Sequence, residues 1–197
     1  MKNFLVFDTE TTGLPKYFNS PMEDVNNWPR MSQLAFMLIN EKGELLHQFQ
    51  SLIKPNGWVI PKEKFFIENN MSTERCEAEG IDVFIALREL QAALKLCNYK
   101  VAHNIAFDRN IVGAELIRAD ISLPLFKFKP EICTMKSTTN FVKAKSHAGG
   151  NKWPKLIELH QHLFECDFDG AHDAMADVQA TAKCLIESIK RGYINLK

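Results

Sequence analysis

The chain has 197 residues, 46% of them apolar, and its 24 lysines and arginines balance 24 aspartates and glutamates. That length and apolar content can bury one sizeable core, so a single domain over residues 1–197 is expected, and zero net charge excludes nucleic-acid binding that rests on a uniformly basic surface. Cys76, Cys97, Cys133, Cys166 and Cys184 are widely spaced with no C-x-x-C pair, which argues against zinc or redox chemistry and for reduced, mostly buried thiols.

Asn3 to Phe7 is a short apolar run that ends at Asp8 and Glu10, and the threonines, glycine and proline of Thr11 to Pro15 follow. This pattern predicts a buried strand running into a turn. The acid at Asp8 comes before any apolar run long enough for a signal peptide or a membrane span, so a cytoplasmic protein without membrane contact is expected. Tyr17 to Arg30 is polar and aromatic, with Pro21 and Pro29, and is taken as a loop in which Trp28 is core, lid or partner contact. Leu34 to Ile39 and Leu45 to Ile53 flank Glu41-Lys42-Gly43-Glu44, a hairpin around a glycine turn.

Ser72 can cap a short helix ending near Gly80, and Asp82 to Leu96 sets Val83, Leu87, Leu90 and Leu94 at helical spacing. Lys100 to His103 reads as a brief strand, followed by a helix over Ile105 to Ala119 with the stripe Ile111, Leu116 and Ile117. Further helices are expected over Pro154 to Phe164 and from about Ala174 to Arg191, the latter stopped by Gly192. Three strands followed by alternating helices and strands give an α/β class, a mixed sheet covered by helices. Between Ile121 and Lys155 stand seven lysines (127, 129, 136, 143, 145, 152 and 155) and one acid, Glu131. Such a run is either a solvated face or a track for a phosphate backbone.

Three acidic elements carry the chemistry. Residues two apart on a strand face the same way, so Asp8 and Glu10 project together and repel unless something cationic sits between them. Asp108 falls in the first turn of a helix that follows a strand. Its carboxylate either answers the exposed amides there or faces the pocket beside the first strand. His172 and Asp177 are five apart, about 140° around a regular helix, so they converge only if the histidine precedes the helix or begins it; Gly170 permits such an entry.

FDTETTGL at Phe7 to Leu14, HNIAFD at His103 to Asp108 and HDAMAD at His172 to Asp177 resemble the three motifs of the DEDDh, or DnaQ-like, exonucleases. That family includes the proofreading subunit of bacterial DNA polymerase III. The resemblance implies a ribonuclease H-like fold, a five-stranded mixed sheet flanked by helices. It also implies 3′→5′ hydrolysis of nucleic-acid ends to nucleoside 5′-monophosphates, with two divalent cations, Mg²⁺ or Mn²⁺, as cofactors. By the same resemblance Asp8 bridges both cations, Glu10 and Asp177 hold the one beside the attacking water, and Asp108 supports the second. His172 is the general base, and Thr11, Leu14 and Phe107 meet the substrate. For Phe107, burial under its helix is the simpler role. His103 is expected to be a structural hydrogen-bonder, because hard cations prefer oxygen.

The connection at Tyr17 to Arg30 is longer than in compact members of the family, which leaves substrate choice open. Expected partners are single-stranded nucleic-acid 3′ ends, DNA favoured over RNA, and a DNA polymerase. Two alternatives stand beside a DNA proofreading or repair enzyme: an RNA 3′-end processing exonuclease, and a non-catalytic module of the same fold that holds nucleic-acid ends.

Overall fold

Phe4 to Phe7 are each no more than 1% exposed because both faces of their strand are covered. They belong to β1 (Asn3–Thr11), the middle strand of a five-stranded sheet in a computed structural model that describes residues 1–146, 149–170 and 173–196. On one side β1 pairs antiparallel with β2 (Met31–Asn40), which pairs antiparallel with the edge strand β3 (Leu45–Leu52). On the other it runs parallel to β4 (Tyr99–Ala102), which runs parallel to β5 (Glu131–Cys133). The order is β3-β2-β1-β4-β5, the mixed sheet expected.

The helices in chain order are α1 (Lys64–Glu68), α2 (Thr73–Glu79), α3 (Val83–Leu96), α4 (Ile105–Arg118), α5 (Pro124–Phe128), α6 (Thr134–Val142), α7 (Leu156–Phe164) and α8 (Ala174–Lys190). Alternation along β1 divides the core. Leu5 and Phe7 join Leu87, Leu90 and Leu94 of α3 and Ile111 and Leu116 of α4, while Phe4 and Val6 join Val178, Ala182 and Leu185 of α8. Even-numbered positions of β1 therefore face α8, and odd-numbered ones face α3 and α4.

The strands and helices expected through residue 119 lie where the patterns put them, and Ser72 caps α2 by accepting from Arg75 N–H at 3.1 Å. Periodicity did not reveal α1, α5, β5 or α6, which have 5, 5, 3 and 9 residues. The three shorter elements carry too few apolar repeats to declare a period, and α6 buries Thr134, Met135 and Thr138, a face that is mostly polar in sequence. Cys76, Cys97 and Cys184 are buried free thiols, whereas Cys133 is partly exposed and Cys166 is exposed. Among the described residues no helix is long and apolar enough to cross a membrane.

Residues 17–30 dock on α4. Glu115, 1% exposed, accepts from Arg30 at 2.7 and 3.0 Å, from Met31 N–H at 3.2 Å and from Arg118 at 2.7 Å, and Arg118 also donates to the carbonyls of Val25 and Trp28. Gly113 lets Met22 lie directly on the helix, since a Cβ there would overlap the methionine side chain. Trp28 is core: buried, donating to Pro21 O at 2.9 Å, its ring edge-on to Phe107 at 6.4 Å.

Candidate active site

The parity that covers Phe4 and Val6 with α8 carries on to Asp8 and Glu10 at the end of β1. Asp177 lies in the first turn of α8, one residue before Val178 of that same contact. Asp8, Glu10 and Asp177 each offer a carboxylate oxygen, and these atoms lie within 4.8 Å of one another. The β1–β2 register shifts between Glu10 and Thr11, a bulge of the kind that re-aims a strand beside a site.

Asp108 arrives from the other face. Asn104 takes a left-handed backbone, φ 69°, which asparagine tolerates, so α4 starts as soon as β4 ends and its first turn leans over β1. There the odd-numbered Thr9 meets it. Asp108 is 3% exposed and accepts from Thr9 N–H at 3.1 Å and Thr9 Oγ1 at 2.9 Å. Thr9, with no assigned role in the sequence, thus positions the fourth acid, and only its place between two acids could have suggested this.

The electrostatics are those of crowded carboxylates. Burial, followed by repulsion from Asp108, Asp177, Glu10 and Asp173, raises the Asp8 carboxyl well above its usual range. Burial and the charges of Asp177, Asp108 and Asp173 push Glu10 up to about 8. Burial lifts Asp108 to about 7 against the pull of the Thr9 hydrogen bonds. Such acids disfavour their own ionised form unless a cation neutralises them, and an all-oxygen donor set suits a hard divalent ion such as Mg²⁺ or Mn²⁺. The residues present therefore fit the expected metals.

Asp173 caps α8, accepting from Met175 and Ala176 N–H at 3.1 Å, and takes further bonds from Gln50 at 3.2 Å and Gln33 at 3.4 Å. Gly170 adopts φ 81°, a left-handed backbone open to glycine. His172 lies outside the described residues. His103 is structural: Nε2 faces Pro154 O at 3.0 Å and Nδ1 faces Thr134 Oγ1 at 3.0 Å. A carbonyl can only accept, so the proton is on Nε2 and Nδ1 accepts from the threonine. Burial lowers the ring to about 4, which keeps it neutral at pH 7.

Glu10 also lines a groove of 570 Å³ that holds Thr11, Leu14 and Phe107 along with Thr9, Thr12, Gly13, Glu63, Phe65 and Phe66. Leu14 is 74% exposed at the rim. Thr11 Oγ1 donates to Gly13 O at 2.7 Å. Phe107 packs against the core under Trp28 and lines the groove as well, so burial and pocket wall are one position. The sequence patterns had not singled out Phe65 and Phe66 of α1; their one signal is an aromatic pair inside the charged run Lys62 to Glu68.

A family model described as an exonuclease, RNase_T, matches residues 5–185. The 3′-5′ exonuclease DinG of Bacillus subtilis is 30% identical over 190 residues, which cover 96% of this chain and 18% of DinG. DNA polymerase III PolC-type of Bacillus cereus is 27% identical over 193 residues, 96% of this chain and 11% of the polymerase. The chain thus spans less than a fifth of either relative. Exonuclease I of E. coli superposes with a TM-score of 0.76 in complex with a 5cy-dT13 oligonucleotide and 0.74 with a dT13 oligonucleotide. The identities are 16% and 15%, the share of this chain covered is 96% and 97%, and that of exonuclease I is 41% and 42%. This likeness is one of fold, and the fold is ribonuclease H-like.

Proposed function

The chain belongs to the RNase_T family of exonucleases, the DnaQ-like group that its three motifs resemble, and on that footing we propose a metal-dependent 3′→5′ exonuclease acting on single-stranded ends, DNA before RNA. The observation that carries the reading is the trio Asp8, Glu10 and Asp177 at the head of the Leu14–Phe107 groove, with Asp108 held next to it. Asp8, Glu10 and Asp177 would hold the cations and Asp108 would support the second. Two Mg²⁺ or Mn²⁺ ions bound there supply charge neutralisation at the scissile phosphate, an activated water and a stabilised leaving oxygen.

The chain's own groups do the rest. Thr9 keeps Asp108 aimed and, by hydrogen bonding its charged form, keeps part of it ionised at neutral pH. His172, whose type titrates near neutrality, accepts the proton of the attacking water. Leu14, Phe107 and the added pair Phe65 and Phe66 offer apolar walls to a terminal nucleoside, and Thr11 offers a hydroxyl near its sugar. The products are nucleoside 5′-monophosphates. A polymerase among the relatives supports work beside a DNA polymerase, in proofreading or repair.

The test uses 5′-labelled single-stranded DNA and its RNA counterpart with Mg²⁺, with Mn²⁺ and with chelator, for the wild type and Asp8→Asn. A ladder shortening from the 3′ end, faster on DNA, metal-dependent and lost in the variant, is the expected result. Full activity of Asp8→Asn would overturn the mechanism, and faster RNA cleavage would overturn the substrate preference.

A further inference from the structure

The lysine-rich stretch between residues 121 and 155 is divided by the fold. Lys127 pairs with Glu23 at 2.7 Å, and Lys129 donates to Cys97 O at 2.9 Å, before the start of β4. Both belong to the end of the sheet away from the acids. The other five follow β5, and of these Lys136 lies in the first turn of α6, just past the C-terminal end of that parallel strand, whereas Lys143 ends the helix two residues past Phe141, which stacks on Tyr193. Lys145 and Asn151 form an isolated antiparallel bridge, Lys152 N–H donates to Ala144 O at 2.8 Å, and Lys155 is the N-cap of α7. Glu158 answers Lys152 at 2.7 Å and accepts the Lys155 N–H at 2.7 Å, leaving the patch in net positive balance.

Within this patch Trp153 is 61% exposed, with Lys136 Nζ 5.6 Å from its ring centroid. Its backbone is anchored on the C-terminal side. The carbonyl of the next residue, Pro154, is bonded to His103, whose other nitrogen is held by Thr134 at the start of α6. His103 stands two residues past Val101, the register partner of Val6, and Asp8 stands two past Val6. The tryptophan is thus tied to the strand end level with Asp8. In sheet order it lies on the β5 side of the acids. The Leu14 groove is walled by the end of β1 and the segment after it, by α1 after β3 and by Phe107 of α4, and neither Trp153 nor Lys136 lines it.

We propose that Trp153, with Lys136 and Lys145, is a stacking step for the single strand upstream of the scissile bond, so that the enzyme holds substrates on both sides of its acids. The proposal rests on the exonuclease reading for its occupant. A polynucleotide supplies both things the patch selects: a π-face for an indole that has little to cover it, and phosphates for the lysines around it. Lys136 beside the ring also suits a base stacked on one face and a phosphate at its edge. The chemistry of the patch is indifferent to base identity, since every base stacks and none of these groups reads an edge.

The occupant makes the test one of length. A dinucleotide fills the groove and the acids and does not reach Trp153, whereas a twelve-residue oligothymidylate does. For Trp153→Ala we expect KM on the twelve-mer to rise about thirtyfold, the middle of the range for losing one stacked base, with dinucleotide kcat/KM unchanged. Trp153→Phe should recover most of that loss, and Lys136→Ala with Lys145→Ala should flatten the salt dependence of twelve-mer binding. In chelator, where no hydrolysis occurs, the twelve-mer should quench wild-type tryptophan fluorescence, and the quench should vanish in Trp153→Phe.

Equal KM for the twelve-mer in wild type and Trp153→Ala would overturn the proposal. So would matched losses on dinucleotide and twelve-mer, which would mark Trp153 as a prop for His103. The chelator experiment separates the two readings: quenching without any metal-dependent cleavage would retain the strand-binding surface and remove the exonuclease. Cleavage without length dependence would do the reverse.

Discussion

Replacing Glu10 by glutamine should stabilise the metal-free protein at neutral pH while removing its activity. The folded protein pushes this carboxyl from 4.5 to about 8, chiefly by burial and then by the charge of Asp177. Below pH 4.5 it is protonated whether the chain is folded or not, and wild type and variant differ little. As pH rises from 4.5 toward 8 the unfolded chain ionises Glu10 and the folded chain does not, so the wild type loses stability and the glutamine variant does not. At pH 7 that interval is 2.5 pH units, about 3 kcal/mol at 1.36 kcal/mol per unit. Protonation of Asp8 and Asp108 relieves part of the repulsion, which leaves about 1.5–3 kcal/mol, or roughly 3–10 °C in Tm for a domain of this size. Thermal melts in chelator at pH 4.5 and pH 7.5 read this directly, and Mg²⁺ should then raise the wild type more than the variant. A variant that melts at or below the wild-type temperature at pH 7.5, or an advantage equally large at pH 4.5, would refute the argument.

Three further outcomes concern particular residues. Thr9→Val removes the hydroxyl bond to Asp108 and keeps the amide bond, so the Asp108 carboxyl should rise further and the acid limb of the pH–rate profile should move to higher pH, with about tenfold lower activity at pH 7. Glu115→Ala strips the shared acceptor from Arg30 and Arg118, and urea denaturation should show a loss of about 3–5 kcal/mol, the usual result of breaking a buried charge network from one side. His172→Ala should lower kcat by about 10²–10⁴-fold with little change in Tm, and a variant with wild-type kcat would remove the histidine from the mechanism.

The convergence of three acids was as legible in the sequence as the long elements of the fold. Asp8, Glu10 and Asp177 converge because alternation along a strand and the first turn of a helix are short-range rules, and both can be counted along the chain. The long periodic elements, α3, α4 and α8, were readable for the same reason. By contrast β5 and α6 are recognisable only once β4 offers an edge and α7 and α8 offer a surface, and nothing local announces either. Phe65 and Phe66 escaped notice because the groove they line is shared with Leu14, about fifty residues earlier in the chain. The long connection at residues 17–30 announced itself by length, yet its anchoring rests on Glu115 and Gly113, both on the buried side of α4. A buried acid and a glycine in α4 look like defects until the segment they receive is in view.

The end of β1 explains why four acids can share so small a space. One strand presents two faces, and the chain uses both: even positions place Asp8 and Glu10 beside α8 and Asp177, while the odd position Thr9 turns to α4 and takes hold of Asp108. Had all four acids come from one face, no neutral hydrogen-bond donor could have stood among them. Thr9 gives the buried Asp108 carboxylate two donors, which pull against the burial that raises it to about 7. Burial remains the larger effect at Asp108 as it does at Glu10, so hydrogen bonding moderates the crowding of the acids and a cation is still needed to hold them all ionised at neutral pH.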